Sequence, residues 1–274
     1  MQKPLIRILY WLGIMAVLTA LSMGLWLWVC GGSQTTSSLK WLQFMQTTGT
    51  FLLPPILCAW LWDTGHKPFV WLQMDKGVSG KVVWWAVALM VCALPGINLL
   101  ADLNSRVVLP ESLGFIEEIF KRQEEAAAAL TERFLQADSV GAVLINIGLM
   151  ALLPALSEEL SFRGTLQQVL GNSRAAIWVT AFVFSAIHMQ FYGFVPRMLL
   201  GAVFGYMFVW TKNLWVPMLM HFTNNGIAVL VYSIWGQNNS ADTIGAGTTW
   251  WLGVISILIT CPGLLIFYRR TRTQ

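Results

Sequence analysis

Charge is what this chain has least of. Of its 274 residues, 11% are Asp, Glu, Lys or Arg, against about 25% in an ordinary soluble domain. Hydrophobic side chains make up 56%, and the mean hydropathy is +0.62. That balance excludes a water-soluble globular enzyme and a disordered chain, since so apolar a sequence has nowhere to put its surface in water. Cysteine is scarce too. Cys30, Cys58, Cys92 and Cys261 are far apart and form no C-x-x-C or other metal spacing, which excludes a disulfide-stapled secreted scaffold. The net charge of +4 comes from 17 basic residues spread over turns rather than clustered, so it is not a nucleic-acid footprint and no nucleic-acid partner is expected.

Tryptophan, by contrast, is abundant at 15 residues. Many of them (Trp11, Trp41, Trp60, Trp62, Trp84, Trp210, Trp215, Trp235, Trp250) stand near the ends of apolar runs, where membrane-interface aromatics belong. The chain reads as an all-α polytopic membrane helix bundle, a single integral membrane domain over residues 1–274. A span needs roughly 20 mainly apolar residues. Eight candidates lie at about 8–30, 41–62, 82–101, 140–157, 175–190, 198–211, 215–235 and 249–268, the fourth to sixth short or interrupted. Between the third and fourth, from Glu111 to Asp138, Ile116, Ile119, Phe120, Ala127, Leu130 and Phe134 recur at helical spacing against Glu117, Glu118, Lys121, Glu124 and Glu125, predicting one amphipathic extramembrane helix.

Lys3 and Arg7 precede the first run, which has no small-x-small cleavage site, so it reads as an uncleaved helix. Alternating the loops places 11 basic residues on the side of the termini and 6 on the other, with Arg163 counted among the first and Arg197 among the second. That bias predicts cytoplasmic N- and C-termini.

Against so apolar a background Glu158-Glu159-x-x-x-Arg163 is conspicuous, because charge at membrane depth costs about 2.5–3.5 kcal/mol or more per residue. Four apart on a helix, Glu159 and Arg163 can pair, while Glu158 points about 100° away without a built-in partner. An unpaired Glu in an apolar site is suited to act as a general base. Gly171, Asn172 and Ser173 supply a helix stop and an N-cap. Glu158 lies 13 residues before Gly171 and His188 lies 14 after Arg174, so a hairpin returns His188 to the depth of Glu158. His221, on the following helix, reaches a comparable depth and shares a face with Asn225, with Asn224 beside it. His66 reads as a solvated loop residue. The spacings Gly201 to Gly205 and Gly141 to Gly148 predict close helix packing.

Glu158-Glu159-x-x-x-Arg163, Phe184-x-x-x-His188 and His221-x-x-x-Asn225, in that order on successive apolar helices, resemble the CPBP family of intramembrane proteases. That family comprises the type II CAAX prenyl endopeptidases and bacterial relatives linked to bacteriocin processing or self-immunity. The resemblance covers about residues 140–230. It implies catalytic roles for Glu158, Glu159, Arg163, His188, His221 and Asn225: Glu158 activating water, His188 holding that water or a metal, His221 and Asn225 completing the site, and Glu159 with Arg163 supporting it. Phe184 would shape an apolar wall. The implied partners are the lipid bilayer and a peptide or protein substrate at the membrane, a prenylated CAAX-type protein or a leader peptide, and the implied location is the bacterial inner (cell) membrane.

Two mechanisms fit these residues. In one, Zn2+ held by His188, His221 and Glu158 lowers the pKa of a bound water. In the other, which the small ligand count favours, Glu158 and His188 activate water without metal. No H-E-x-x-H is present, and Ser157, Ser161 or Ser185 as nucleophile would leave the carboxylates unexplained. Two other classes stand as alternatives: an ion-coupled transporter, disfavoured because the unusual polar residues sit in one half without an internal repeat, and a non-catalytic membrane scaffold or immunity protein.

Overall fold

A backbone surrounded by lipid must satisfy its own hydrogen bonds, so apolar runs of this length fold as helices. The computed structural model describes residues 3–63, 65, 67–236 and 244–272; His66 lies outside them. Among the described residues there is no strand.

Helix α1 (Pro4–Cys30) begins on a proline, whose missing N–H is not needed in the first turn, and stops at Gly31 with φ of +58°. Helices α2 (Thr36–Thr47) and α3 (Leu53–Trp62) are joined by a π-helical turn, Thr48–Leu52. Then come the short α4 (Pro68–Trp71), α5 (Gly80–Ser105) and the amphipathic α6 (Gly114–Leu135). Helix α7 (Val140–Asn146), a π turn (Ile147–Leu152), α8 (Leu153–Ser161) and a second π turn (Phe162–Gln167) form one unbroken run. The chain finishes with α9 (Arg174–Ala186), α10 (Phe194–Thr211), α11 (Trp215–Trp235) and α12 (Trp250–Arg272).

Five of these helical runs are long and apolar enough to cross a membrane: Pro4–Cys30, Gly80–Ser105, Val140–Gln167, Phe191–Thr211 and Gly247–Thr271. The other three expected spans are helical but depart from that standard for visible reasons. The run at 41–62 is entered through the polar face of α2, α9 has 13 residues, and α11 carries His221, Thr223, Asn224 and Asn225. The fourth run extends past 157: its helix continues through the carboxylates to Gln167, as the stop expected at Gly171 implies.

Side-chain contacts define two ends of the bundle. At one, Gln73 bonds Gln168, Asn213 bonds the Lys76 carbonyl, Arg7 lies over Trp62 and Arg270 lies over Trp85. The start of α1 and the end of α12 are at this end. At the other, Arg133 of α6 bonds Thr36, Phe120 stacks on Phe191 at 5.0 Å, and Asn104 ties the Phe191 carbonyl to the Val195 amide. Helix α6 packs only in part: Phe134 is buried, whereas Phe115, Ile119 and Leu130 are exposed. On its polar face Glu117 hydrogen-bonds Lys121 at 2.7 Å and holds the ammonium above its ordinary pKa.

The hairpin turns where glycine and serine place it. Gly171 and Asn172 take positive φ, and Ser173 Oγ accepts from the Ala176 amide. From there α9 rises only ~20 Å at 1.5 Å per residue, about 10 Å short of a ~30 Å hydrocarbon core. The turn that follows, residues 187–193, meets α6 through Phe191.

Candidate active site

Two prolines help to set the site. Pro154 has no N–H to offer the Met150 carbonyl one turn before it; Asn225 Nδ2 of α11 donates there instead, at 3.3 Å. Pro55 bears the same relation to the Phe51 carbonyl, which accepts from Ser161 Oγ at 2.8 Å. Each main-chain gap becomes a bond between helices, and together the two bonds flank residues 158–163.

Glu159 and Arg163 pair as their spacing predicts. The distance is 2.7 Å and neither side chain is exposed. Arg163 also donates to the Gly201 carbonyl at 2.9 Å and lies over the Phe184 ring, 4.6 Å from its centroid. One turn on, Gln167 donates to the Gly205 carbonyl. These contacts need the two glycines: a Cβ at Gly201 would sit 3.1 Å from Arg163 Nη2, and one at Gly205 would sit 2.6 Å from Gln167 Oε1. The other expected small-residue contact is corrected. Nothing lies within 4 Å of a Cβ at Gly148, and only Ser139 Oγ, at 4.0 Å, of one at Gly141.

His221 Nδ1 is 2.9 Å from Glu159 Oε1. A carboxylate only accepts, so Nδ1 carries the proton and Nε2 is left facing Glu158 Oε2 at 3.9 Å. His188 does not sit on a helix as expected. Helix α9 ends at Ala186, and His188 occupies the turn beyond it with Nδ1 2.7 Å from the Phe184 carbonyl. The same logic puts a proton on its Nδ1, so that in the neutral ring Nε2 is an acceptor. Phe184 does more than form a wall: it supports Arg163 from one side and meets both imidazoles edge-on, at 5.1 and 6.2 Å.

These groups line one cavity of about 340 Å³, with Pro154, Glu158, Phe184, His188, His221, Asn224 and Asn225 in its wall. Glu159 and Arg163 lie behind it. Asn225 is committed on both sides, donating to Met150 and accepting from Asn224 Nδ2 at 3.0 Å. The cavity also contains a residue that sequence reasoning missed. Arg197 was counted as a loop charge, yet it lines the cavity, half-buried, with Nη2 donating to Gln190 Oε1 at 2.7 Å. Arg163 was miscounted in the same way and is wholly internal. A charge inside an apolar run, the signal used for Glu158, was available for Arg197 as well, three residues into α10.

The donor set expected for zinc is not assembled: among the described residues no three His, Cys, Asp or Glu side chains come together as a group that could hold a metal ion. The remaining donors are two Nε2 atoms and the Glu158 carboxylate, whose Oε2 is 3.9 Å from one of them. The metalloendopeptidase description is therefore not supported. A second cavity, of about 390 Å³ and almost wholly apolar, lies between α5, α10 and α12 and shares Ile97, Pro196 and Leu200 with the first.

Fold and site together define a helical membrane protein with a polar, carboxylate-histidine cavity recessed in an apolar bundle. Residues 140–227, which hold every predicted site residue, match the family described as Type II CAAX prenyl endopeptidase Rce1-like, in line with the resemblance of the three motifs to the CPBP family. A Bacillus subtilis (strain 168) protein described as "Uncharacterized protein YpbD" is 27% identical over 150 residues, 52% of this chain and 64% of that protein. The similarity thus spans less than two thirds of that relative's length. No solved structure matches the chain.

Proposed function

We propose that the protein is an intramembrane endopeptidase in which Glu158 is the general base for attack of water on a peptide carbonyl. The observation that carries this reading is the convergence of the Glu158 carboxylate and the His188 and His221 imidazoles on one cavity, with the Glu159–Arg163 pair fixed behind them. A water there gives one hydrogen bond to Glu158 and another to His188 Nε2. As its oxygen bonds to the carbonyl carbon, Glu158 takes the proton and the carbonyl electrons move onto oxygen. A carboxamide hydrogen of Asn224 or Asn225 donates to that oxyanion, while Glu159 holds the His221 ring in place through Nδ1. Collapse breaks the C–N bond, and Glu158 passes its proton to the leaving amine.

The substrate enters with an apolar portion in the neighbouring cavity, whose shared wall of Ile97, Pro196 and Leu200 brings a hydrocarbon group next to the scissile bond. A prenylated CAAX-type protein and a hydrophobic leader peptide both meet that requirement. The test is cleavage of such peptides by the full chain in detergent. Glu158→Gln is expected to lower kcat by about 10²–10⁴-fold, the usual worth of a positioned base, with an unchanged melting temperature. Full retention of cleavage would overturn the assignment. Activity is expected to survive chelators; loss with EDTA and return with Zn2+ would replace the metal-free mechanism.

A further inference from the structure

We infer that Arg197 is an anchor for a carboxylate of the substrate, so that the site selects peptides presenting one close to the scissile bond. This rests on the hydrolase reading for its setting but on separate observations for its substance.

Arg197 and Arg163 are both guanidinium groups inside an apolar bundle, and they are treated in opposite ways. Arg163 is neutralised by Glu159 and further bonded to Gly201. Arg197 makes no ion pair within 4.0 Å among the described residues, and its hydrogen bonds go to Gln190 alone: Nη2 to Oε1 at 2.7 Å and Nη1 to the carbonyl at 3.5 Å. Gln190 orients the group without neutralising it. The recess is shaped for it, since a Cβ at Gly193 would stand 3.0 Å from Nη2.

The two carboxylates whose charge reaches Arg197 stop short of pairing with it. Glu158 lines the same cavity, and Glu124 of α6 has a buried Oε2 with no hydrogen-bond partner. A cation at membrane depth without a counter-ion is costly, and a guanidinium has five donors in a fork that matches a carboxylate. An incoming carboxylate completes both requirements while the adjoining peptide bond lies over Glu158 and His188. The carboxylate has two sources, the free C-terminus of the peptide or an Asp or Glu side chain.

Three peptides of one apolar sequence separate them: one with a free C-terminus, one amidated, and one amidated with a single Glu near its end. Binding is measured on full-length Glu158→Gln protein in detergent, where hydrolysis does not intervene. One carboxylate peptide is expected to bind at least ~10-fold tighter than the neutral amide, as for hydrogen bonds to a charged group, and which one does so names the source. Adding Arg197→Gln should bring that ratio to within ~2-fold, while Arg197→Lys keeps the charge and part of the preference. In the active protein Arg197→Gln should act mainly on KM for the preferred peptide and collapse the same preference in kcat/KM. Equal discrimination with and without Arg197, or no carboxylate preference at all, overturns the anchor. Preferential binding without any cleavage by the unmodified protein would instead remove the hydrolase reading and leave the anchor standing.

Discussion

Glu159 serves two neighbours at once, holding Arg163 at 2.7 Å and the His221 Nδ1 proton at 2.9 Å. Removing either member of a fully buried ion pair leaves the other charged and unsatisfied, at a cost of about 3–5 kcal/mol. Glu159→Gln and Arg163→Gln are therefore each expected to lower the melting temperature in detergent sharply, where Glu158→Gln does not. Replacing both, as Glu159→Gln with Arg163→Met, should recover much of that stability, since an apolar side chain of similar volume fills the space without charge. It should not recover activity, because His221 loses the carboxylate that fixes its Nδ1 proton. A double variant that restored both would show that Glu159 acts only on the fold. Melting curves and peptide cleavage on the same four proteins make the comparison. The exposed pair Arg106–Asp102 offers the contrast: breaking it should be worth less than about 1 kcal/mol.

Helices were the legible part of this sequence, and the hairpin was read closely, since Gly171, Asn172 and Ser173 turn the chain where their chemistry directs. What could not be read was the way one helix completes another. That Asn225 answers the Met150 carbonyl depends on α11 packing beside α7 and α8, which no spacing within either segment states. His188 was expected within a helix because the apolar pattern runs on past Ala186, yet the helix ends there and the imidazole bonds back to Phe184. Arg197 was hidden by the convention of assigning charges near span ends to loops. The Pro154 arrangement gives the prediction proper to this scale. Pro154→Ala restores a main-chain donor facing Met150 and releases Asn225 to other partners. The helix should be as stable as before or more so, while loss of one orienting hydrogen bond, about 1 kcal/mol, should lower kcat roughly fivefold. An unchanged kcat would mean that Asn225 needs no such positioning.

Across the whole molecule, charge sorts by end, and the site faces one of them. Taking Arg163 and Arg197 out of a count of 11 to 6 leaves 10 basic residues on the side of the termini and 5 on the other. The acidic residues divide the opposite way. Asp63 and Asp75 lie at the terminal end, whereas Glu111, Glu117, Glu118, Glu124, Glu125, Glu132 and Asp138 gather on and around α6. Basic loops favour the cytoplasm, so the count without the two internal arginines predicts cytoplasmic termini, as the full count does. The cavity carries the consequence. Two residues of the turn at 187–193, His188 and Gly193, line it, and Phe120 of α6 stacks on Phe191 of the same turn, so access from the acidic end is predicted. A substrate is then expected from the face opposite the termini, past α6. Single cysteines test this once Cys30, Cys58, Cys92 and Cys261 are replaced by serine or alanine. With a membrane-impermeant maleimide on intact cells, Glu118→Cys on the exposed face of α6 should label without permeabilisation, and Arg174→Cys at the start of α9 only after it. The reverse pattern would turn the molecule over, placing the termini outside and the mouth of the site in the cytoplasm.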